Sequence, residues 1–206
     1  MFLNFIRKSI FLVLSTVIVF MMTGCSTTTR DISPDESIHY DEGYDFSDKK
    51  AIVNDLVESL VNKPPLVARY DRPIMIVYGV ANRTDEHIET DGITDDIRTE
   101  IMQSGKARFV NKVQRDNIQK ESDYQYGGNV SAETRLTRAR QVGAEYMISG
   151  TLRSIKKREG KGIRLKRDTL QYYSLTLELT DLQTGLIEWT DSAEIARESS
   201  KPFIGW

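Results

Sequence analysis

Two hydrophobic patterns of different period divide the chain. Apolar residues recur every three or four positions over residues 53–61 and 93–101, which predicts amphipathic helices. Further along, apolar and polar residues alternate, most clearly over residues 173–180, which predicts a strand with one buried and one wetter face. Residues 74–80 are apolar at both parities, as in a central strand that is covered on both faces. Together the patterns predict an α/β or α+β domain, with a single mixed, largely antiparallel sheet of four to five strands flanked by about four helices.

Capping and turn residues set the predicted element boundaries. Ser47 is predicted to cap the first helix, which Pro64-Pro65 ends. A weaker helical pattern covers residues 113–124, and a further helix is predicted from Ser131 to Gly143. The turn Asp181–Gly185 joins the last two strands, so we expect an antiparallel meander of three strands in the C-terminal half.

The chain begins with a short hydrophobic leader. Arg7 and Lys8 precede an uncharged run that ends at Met22, and spanning a bilayer takes about 20 residues, so the run is short for a membrane anchor. A positive end, an apolar middle and small residues before a break are typical of a secretory signal over residues 1–24. Cys25, the only cysteine, directly follows Gly24, an arrangement that resembles the lipobox of bacterial lipoproteins. The resemblance implies cleavage before Cys25 and its lipidation; an uncleaved anchor or an incidental buried cysteine is the weaker alternative.

A polar, acidic segment separates Cys25 from the predicted domain. Such a composition buries too little apolar surface to offset the entropy of ordering, so residues 25–46 are predicted to be the lipidated cysteine and a flexible tether. Three aromatic residues at its end are unusual in a spacer and are predicted to dock on the domain: Tyr40, Tyr44 and Phe46. Residues 47–198 are then a single globular domain, followed by a C-terminal tail over residues 199–206.

The charge of the chain is mild, with one local exception. Removing Arg7 and Lys8 with the leader leaves 28 − 2 = 26 basic residues against 30 acidic ones, a balance that gives no global attraction to nucleic acid. Residues 156–167, in the hairpin between the predicted strands around Tyr146 and Tyr172, contain seven cations and a single anion, Glu159. This hairpin is either a solvated tip or an arm attracted to an acidic partner or to anionic lipid head groups. Its cations are Lys156, Lys157, Arg158, Lys161, Arg164, Lys166 and Arg167.

The residues that usually carry catalysis are sparse. There is no glycine-rich phosphate loop of the P-loop or dinucleotide type and no Gly-x-Ser-x-Gly elbow. His39 and His87 lack metal-ligand spacing and are predicted to be solvated. Asp95 and Asp96 are neighbours on a predicted helix, so their carboxylates point to different sides. We therefore predict no enzyme activity, no cofactor and no metal, and a role in binding or regulation.

Several blocks of the sequence resemble one family of bacterial envelope proteins. The blocks lie between about Tyr44 and Glu194 and are Tyr44-Asp45-Phe46, Val80-Ala81-Asn82-Arg83-Thr84, Ile97-Arg98, Ser104-Gly105-Lys106, Val142-Gly143-Ala144-Glu145-Tyr146 and Leu182-Gln183-Thr184-Gly185-Leu186-Ile187-Glu188-Trp189. In these blocks the chain resembles the LpoB family of outer-membrane lipoproteins that activate class A penicillin-binding proteins.

This resemblance implies a location, a partner and an action. The domain is expected to face the periplasm from a lipid anchor in the outer membrane, to bind a class A penicillin-binding protein as a monomer, and to stimulate its synthesis of peptidoglycan. The contact is predicted at Asn82, Arg83 and Thr84, with the basic hairpin residues Lys156, Lys157, Arg158 and Arg164 as a second candidate. The alternatives are an envelope-assembly or secretion lipoprotein of the curli-secretion or TolB-like type, for which we expect a stable oligomer, and a peptidoglycan hydrolase.

Overall fold

The structure, a computed structural model, describes residues 29–134, 142–158 and 166–202 and divides the chain into two compact units. In the first unit, which ends at Glu36, the described residues form one turn, in which the Glu36 N–H donates to the Ser33 carbonyl at 3.0 Å. The second unit, Ser37–Trp206, contains every helix and strand given below. In the described part of the chain, no helix is long and apolar enough to cross a membrane.

One five-stranded mixed sheet forms the centre of the second unit. The strand order is β2-β1-β3-β4-β5; β1 pairs in parallel with β2 and β3, and β3-β4-β5 is an antiparallel meander. Both the mixed sheet and the meander were predicted from the alternating pattern, and both are confirmed. The strands are β1 (Ile74–Arg83), β2 (Arg108–Phe109), β3 (Tyr146–Arg158), β4 (Lys166–Asp181) and β5 (Ile187–Pro202).

Three helices are present among the described residues, rather than the predicted four or so. They are α1 (Phe46–Asn62), α2 (Asp91–Gln103) and α3 (Arg115–Tyr124), the last of which continues into a π-helical turn at Gln125–Asn129. The further helix predicted from Ser131 falls largely on residues 135–141, which lie outside the described residues, and residues 132–134 form a turn.

The core lies between one face of the sheet and two of the helices. α1 packs along β5, α2 packs along β1, and the two helices contact each other. The period of the apolar residues explains this arrangement, because Ile93, Ile97 and Ile101 share one side of α2 and are completely buried. Along β4 every second residue from Thr169 to Leu179 is buried, which is the alternation expected of a sheet covered on this face.

The start of α1 differs from the prediction. Asp45, not Ser47, is the N-cap, and it forms a capping box with Asp48: the Asp48 N–H donates to the Asp45 carboxylate at 3.1 Å, and the Asp45 N–H donates to the Asp48 carboxylate at 3.1 Å. In such a box, each of two backbone N–H groups donates to a side chain of the other residue. A serine cap at position 47 could not form this box, because it would need a side-chain acceptor three residues further along the chain.

The central strand is covered on both faces only near its start. Met75, Ile76 and Val77 are buried in succession, as the sequence predicted. A bulge between Val77 and Gly79 then interrupts the pairing with β3, and Gly79 takes a φ of +119°, which side chains other than that of glycine rarely allow. At this bulge Tyr78 turns to solvent with 65% of its surface exposed.

Candidate functional site

The first predicted contact, Asn82-Arg83-Thr84, combines the end of β1 with the loop that follows. The Asn82 side-chain amide donates to the carbonyls of Glu86 and Ile88 at 3.0 and 3.1 Å. Its oxygen accepts from the Thr84 N–H at 2.9 Å and from the Thr84 hydroxyl at 2.7 Å. Asn82 and Thr84 therefore use their polar groups to shape the loop, whereas the Arg83 side chain is exposed.

A buried tyrosine holds the same loop on the core. The Tyr173 hydroxyl donates to the Glu86 carboxylate at 2.8 Å, and the tyrosine is 1% exposed. Burial raises the pKa of Tyr173, with a further contribution from the bond to Glu86, so the phenol stays protonated and remains a donor. The loop is thus a fixed surface feature on which Arg83 is presented.

The two predicted contact regions lie next to each other in the structure. The Ser154 hydroxyl on β3 donates to the Asp85 carboxylate at 2.8 Å and accepts from the Asp85 N–H at 3.4 Å. The hydrogen bond from Ser154 lowers the pKa of Asp85, and the charges of Lys156 and Arg158 lower it further. The loop after β1 and the base of the basic hairpin therefore form one continuous region.

The hairpin cations, however, divide between the two faces of the sheet. Lys156 lies on the helix-covered face, where its Nζ is 3.5 Å from a Glu42 oxygen. Lys157, the next residue along β3, points to the other face and is exposed, as strand alternation requires. Arg158 is also exposed. Arg164 and Cys25 lie outside the described residues.

We use the name open sheet face for the part of β1, β3 and β4 that lies next to the basic hairpin, on the side that α1 and α2 do not cover. Register places Arg83 beside Arg153, and Ile155 beside Tyr172. Ile155 and Leu170 expose 57% and 45% of their surface there. A hydrogen bond to Glu194 raises the pKa of Tyr172 and keeps it protonated. The open sheet face consists of Arg83, Arg153, Ile155, Lys157, Leu170 and Tyr172.

Sequence reasoning missed four members of this surface: Arg153, Ile155, Leu170 and Tyr172. The signal was present, because these residues occupy the parity of β3 and β4 opposite to that of the buried Leu152 and Tyr173.

The end of the predicted tether packs on the far end of the helix-covered face. We call residues 37–45 the strap. Glu42 is 8% exposed, accepts from the Ser199 hydroxyl at 2.9 Å and pairs with Lys201 at 3.3 Å. A hydrogen bond from its own backbone, together with Ser199 and Lys201, lowers the pKa of Glu42 to about 2.

The predicted docking of the three aromatic residues is right for one of them and wrong for two. The Tyr44 ring contacts that of Tyr173 edge to face, with the centroids 5.3 Å apart, and Tyr44 packs against the core. Tyr40 is 95% exposed and Phe46 is 56% exposed. In the strap, Glu42 and Tyr44 pack on the sheet, whereas Asp41 and Tyr40 are exposed. Position in the sequence therefore did not decide which ring packs on the core.

One trio of metal-ligating side chains meets in the described part of the chain. Ligand atoms of His39, Asp45 and Asp48 lie within 4.8 Å of one another. An arginine already lies among them, because the Arg197 guanidinium donates to Asp48 at 2.6 Å, to Asp45 at 3.4 Å and approaches His39 at 3.4 Å. A divalent cation would have to displace that permanent positive charge, so the cluster fits an ion-pair network rather than a metal site. His39, expected to be solvated, takes part through a 2.6 Å contact with Asp45.

The acidic pair considered for catalysis is divided between two ion pairs. Asp95 contacts Arg98 at 2.7 Å and Asp96 contacts Lys49 at 2.7 Å. Both carboxylates are substantially exposed, and each meets a different cation. This confirms that the pair is a solvated helix surface, since paired catalytic carboxylates need to face one shared substrate position.

Comparison with known proteins gives one family and several similar structures. A sequence model described as peptidoglycan-synthase activator LpoB matches residues 48–195. A search of curated proteins finds no match. The LpoB C-terminal domain from Salmonella enterica is 20% identical over 72% of this chain and 98% of that one, with a TM-score of 0.46. The domain from Escherichia coli is 18% identical over 73% and 99%, with a TM-score of 0.45. Lipoprotein GNA1162 from Neisseria meningitidis is 17% identical over 62% and 84%, with a TM-score of 0.38.

Proposed function

The chain belongs to the LpoB family of peptidoglycan-synthase activators, and from this premise we propose that it binds a class A penicillin-binding protein and stimulates its synthesis of peptidoglycan. The observation that carries the proposal is the extent of the family match, from the first turn of α1 into β5, which takes in the sheet, both core helices and the loop after β1. As a regulator, the protein would require no catalytic group of its own.

We propose that the chain acts from the outer membrane, facing the periplasm as a monomer. Cys25 would carry the lipid, after removal of residues 1–24, and the segment that follows would tether the domain. A single acyl chain gives only marginal membrane binding, so firm anchoring requires more than one. Changing Cys25→Ser should move the protein from the membrane fraction to the soluble periplasmic fraction, whereas retention in the membrane would contradict the anchor.

The contact with the synthase is proposed at the open sheet face and the adjoining loop. Arg83 and Lys157 supply exposed positive charge on this face, and Ile155 and Tyr172 supply apolar surface between the charges. Arg158 adds exposed positive charge at the base of the hairpin. Interfaces commonly combine arginine and aromatic anchors in this way. Asn82 and Thr84 would contribute indirectly by holding the loop, and Lys156 by its pairing with the strap. Arg164 belongs to the proposal through its place in the same hairpin.

Activation would follow from differential binding. If the domain binds the active conformation of the synthase more tightly than the resting one, saturating binding multiplies the ratio of active to resting synthase by the ratio of the two affinities. An affinity ratio of about 5 to 150 is typical of such coupling. The tether would add to this by keeping the domain at a high local concentration near the synthase.

The experiment that tests this function is a reconstituted synthase assay. Purified chain is added to a class A penicillin-binding protein, and the rate of glycan-chain formation from lipid-linked precursor is followed together with binding. We expect stimulation by the wild type, and at least about tenfold weaker binding for Arg83→Glu with Lys157→Glu, because charge reversal replaces attraction by repulsion at two positions.

Lys120→Glu, on the exposed surface of α3, is the matched control and should bind as the wild type does. Binding that is unchanged by the double charge reversal would remove the open sheet face from the proposal. A wild-type chain that neither binds nor stimulates any class A synthase of the same cell would contradict the function itself.

A further inference from the structure

The outward charges of β3 and β5 are sorted by sign. Beside the basic hairpin, Arg153 and Lys157 lie on the side of β3 that α1 and α2 do not cover, and both are exposed. On the same side of the sheet, β5 presents Glu194 and Glu198, which are also exposed. Pairing through β4 places Arg153 in one row with Glu194, and Lys157 in one row with Glu198. Because neighbouring strands are about 4.8 Å apart, this positive column and this negative column run parallel at a distance of about 10 Å.

The surface between the two columns is uncharged and partly apolar. β4 contributes Leu170, Tyr172 and Ser174 to three successive rows, and the middle row also contains Ile155 on β3 and Ala196 on β5. Ile155 and Leu170 have 57% and 45% of their surface exposed. An exposed apolar strip with a charged rim is typical of an interaction surface.

The other described charges near this surface keep the same order. Arg83 on β1 lies beside Arg153 and extends the positive side. Lys166 and Asp168 are successive outward residues of β4 and offset each other. Toward the β4–β5 turn the next row is uncharged, and Glu178 lies in the row after it. The three rows around Tyr172 are therefore bounded by opposite charges on their two sides.

The four charges of the columns are available for a contact between molecules. Among the described residues, none of the four forms an ion pair within one copy. Sheets that pack face to face are about 10 Å apart, a distance that facing arginine or lysine and glutamate side chains can span together. A partner sheet with the same two columns in reversed order would complement all four.

A second copy of the chain provides that sheet in one orientation. Two identical sheets that face each other in a closed dimer are related by a twofold axis. An axis across the strands would place each column on its own counterpart, so like charges would meet. An axis along the strands exchanges the columns, so each positive column meets a negative one. If that axis follows β4, Leu170 and Tyr172 of one copy also meet the same residues of the other.

We propose that two copies of the chain associate face to face through this surface, about a twofold axis parallel to β4. Arg153 and Lys157 of each copy pair with Glu194 and Glu198 of the other, and the apolar strip lies between the pairs. Three strands by three rows cover about 15 Å by 20 Å. Contacts of this size are typical of weak, reversible complexes.

This symmetry also suits two copies that are anchored in one membrane. Rotation about the strand direction preserves that direction, so both straps lie at the same end of the dimer. The strap contacts β3 and β5 near the hairpin, through Glu42 with Lys156 and with Ser199. Both tethers would then start from one end, and confinement to a membrane would raise the local concentration of a weakly associating pair.

The dimer surface overlaps the synthase contact proposed above, at Arg153, Ile155, Lys157, Leu170 and Tyr172. A copy in the dimer cannot use this face for the synthase, so the dimer is a reserve from which active monomer is released. The dimer itself does not depend on the proposed function.

The test reverses one column at a time in the chain from residue 25 onward, carrying Cys25→Ser. The acidic variant, Arg153→Glu with Lys157→Glu, has two negative columns, and the basic variant, Glu194→Lys with Glu198→Lys, has two positive ones. Sedimentation equilibrium up to millimolar concentration measures association. We expect the wild type to dimerise and each variant to dimerise at least about tenfold more weakly, since like charges then meet. An equimolar mixture of the two variants should associate at least as strongly as the wild type, because every column again meets its opposite.

A matched control separates this contact from general attraction between charged proteins. Asp55→Lys with Glu58→Lys, on the exposed side of α1, adds the same charge as the basic variant. The control should dimerise as the wild type does and should not restore association of the acidic variant. If a double variant fails to fold, as judged by circular dichroism, the single changes Lys157→Glu and Glu198→Lys provide the same comparison.

Four results would overturn the proposal: a wild type that is monomeric at millimolar concentration, undiminished association of either variant, a mixture that stays monomeric, and equal restoration by the α1 control. A monomeric wild type that stimulates a synthase would refute the dimer alone. A wild type that dimerises and stimulates no synthase would support the dimer and refute the function alone.

Discussion

Arg197 connects three separate parts of the second unit through one guanidinium group. It donates to the Gly43 carbonyl in the strap at 2.9 Å and to the Asp48 carboxylate in α1 at 2.6 Å, while its own backbone belongs to β5. The Asp48 side chain is 3% exposed and that of Arg197 is 17% exposed, so the pair has little access to water. A carboxylate in such a place needs its partner, because water cannot replace the lost contact.

Replacing Arg197→Met should therefore destabilise the domain by about 3 kcal/mol, as is usual when one partner of a buried ion pair is removed. Unfolding in urea, followed by circular dichroism, measures the loss. Arg98→Met is the matched control, since its partner Asp95 is 63% exposed and the pair should contribute less than about 1 kcal/mol. Equal losses in the two variants would contradict the buried role of Arg197.

Glu42 makes the stability of the domain depend on pH in a definite window. Its pKa in the folded chain is about 2, against 4.5 for the free group, because a backbone hydrogen bond, Ser199 and Lys201 stabilise the charged form. The stabilisation is present above about pH 4.5 and is lost as the pH falls toward 2, since protonation then occurs in both states. We expect Glu42→Gln to be less stable at pH 7 by about 2 kcal/mol, with the difference disappearing near pH 2.

Urea unfolding at several pH values between 2 and 7 checks this expectation. The pKa of Asp191 is also lowered to about 2, by its bonds to Lys63 and Ser59, and Asp191 still titrates in the variant. The free energy of unfolding of the variant should therefore depend on pH less steeply than that of the wild type, but the dependence should not vanish. A variant whose stability falls with acid as steeply as that of the wild type would rule out Glu42 as a contributor.

At the scale of elements, the packing of the strap is the feature that the local sequence predicts least well. Its polar, acidic composition predicted a tether, yet residues 42–45 pack on β4 and β5. The contacts that hold it join residues about 150 positions apart, such as Glu42 with Ser199 and Arg197 with Asp48. A hydrophobic period in a short window contains no information on such pairs, so composition alone could not locate them.

The strap's one partly buried ring, that of Tyr44, gives a prediction at this scale. Tyr44→Ala should destabilise the domain by about 3 kcal/mol, because it removes an aromatic ring from a packed edge-to-face contact with Tyr173. Thermal unfolding measures the change. Tyr40→Ala lies in the same segment with its ring 95% exposed, so it should unfold at the wild-type temperature, and a comparable loss there would show that the strap packs differently.

The helices and strands divide into those that the sequence could locate and those whose ends it could not. α2 was predictable because three isoleucines at intervals of four residues all reach the core. The start of β4 and the end of β5 were not, because the inward positions there are polar: Thr169 and Gln171 in β4, and Arg197 and Ser199 in β5. The two β5 residues bond to the strap instead of packing with apolar residues. In the candidate site, the alternation of apolar and polar residues already indicated which strand positions lie on the open sheet face. The hydrogen bonds of Asn82 could be identified only once the fold of the loop was known.

At the scale of the whole molecule, the proposed function requires the domain to reach a partner while it stays attached to a membrane. Because the strap belongs to the second unit, which begins at Ser37, 36 − 24 = 12 residues separate that unit from the predicted cleavage site. Twelve residues extend to at most about 40 Å, compared with about 70 Å for the whole segment predicted as tether. If the proposed lipid anchor and synthase contact are right, the start of the second unit at Ser37 would set how far from the membrane that contact can lie.

Deleting residues 27–36 should abolish activation in cells, since the domain would be held too close to the membrane, while the same deletion in a purified, unlipidated chain should leave stimulation of the synthase unchanged. Incorporation of a labelled D-amino acid into the wall, in cells that depend on this protein, measures the first effect, and the reconstituted assay measures the second. Restoring the length with glycine and serine should restore activity, because only reach is required of this segment. Doubling the length should lower activity slightly, as the local concentration falls with about the −3/2 power of tether length. If the shortened protein activated in cells as well as the wild type, then reach from the membrane would not limit the encounter, and the synthase would have to present its docking surface within a few ångströms of the anchor.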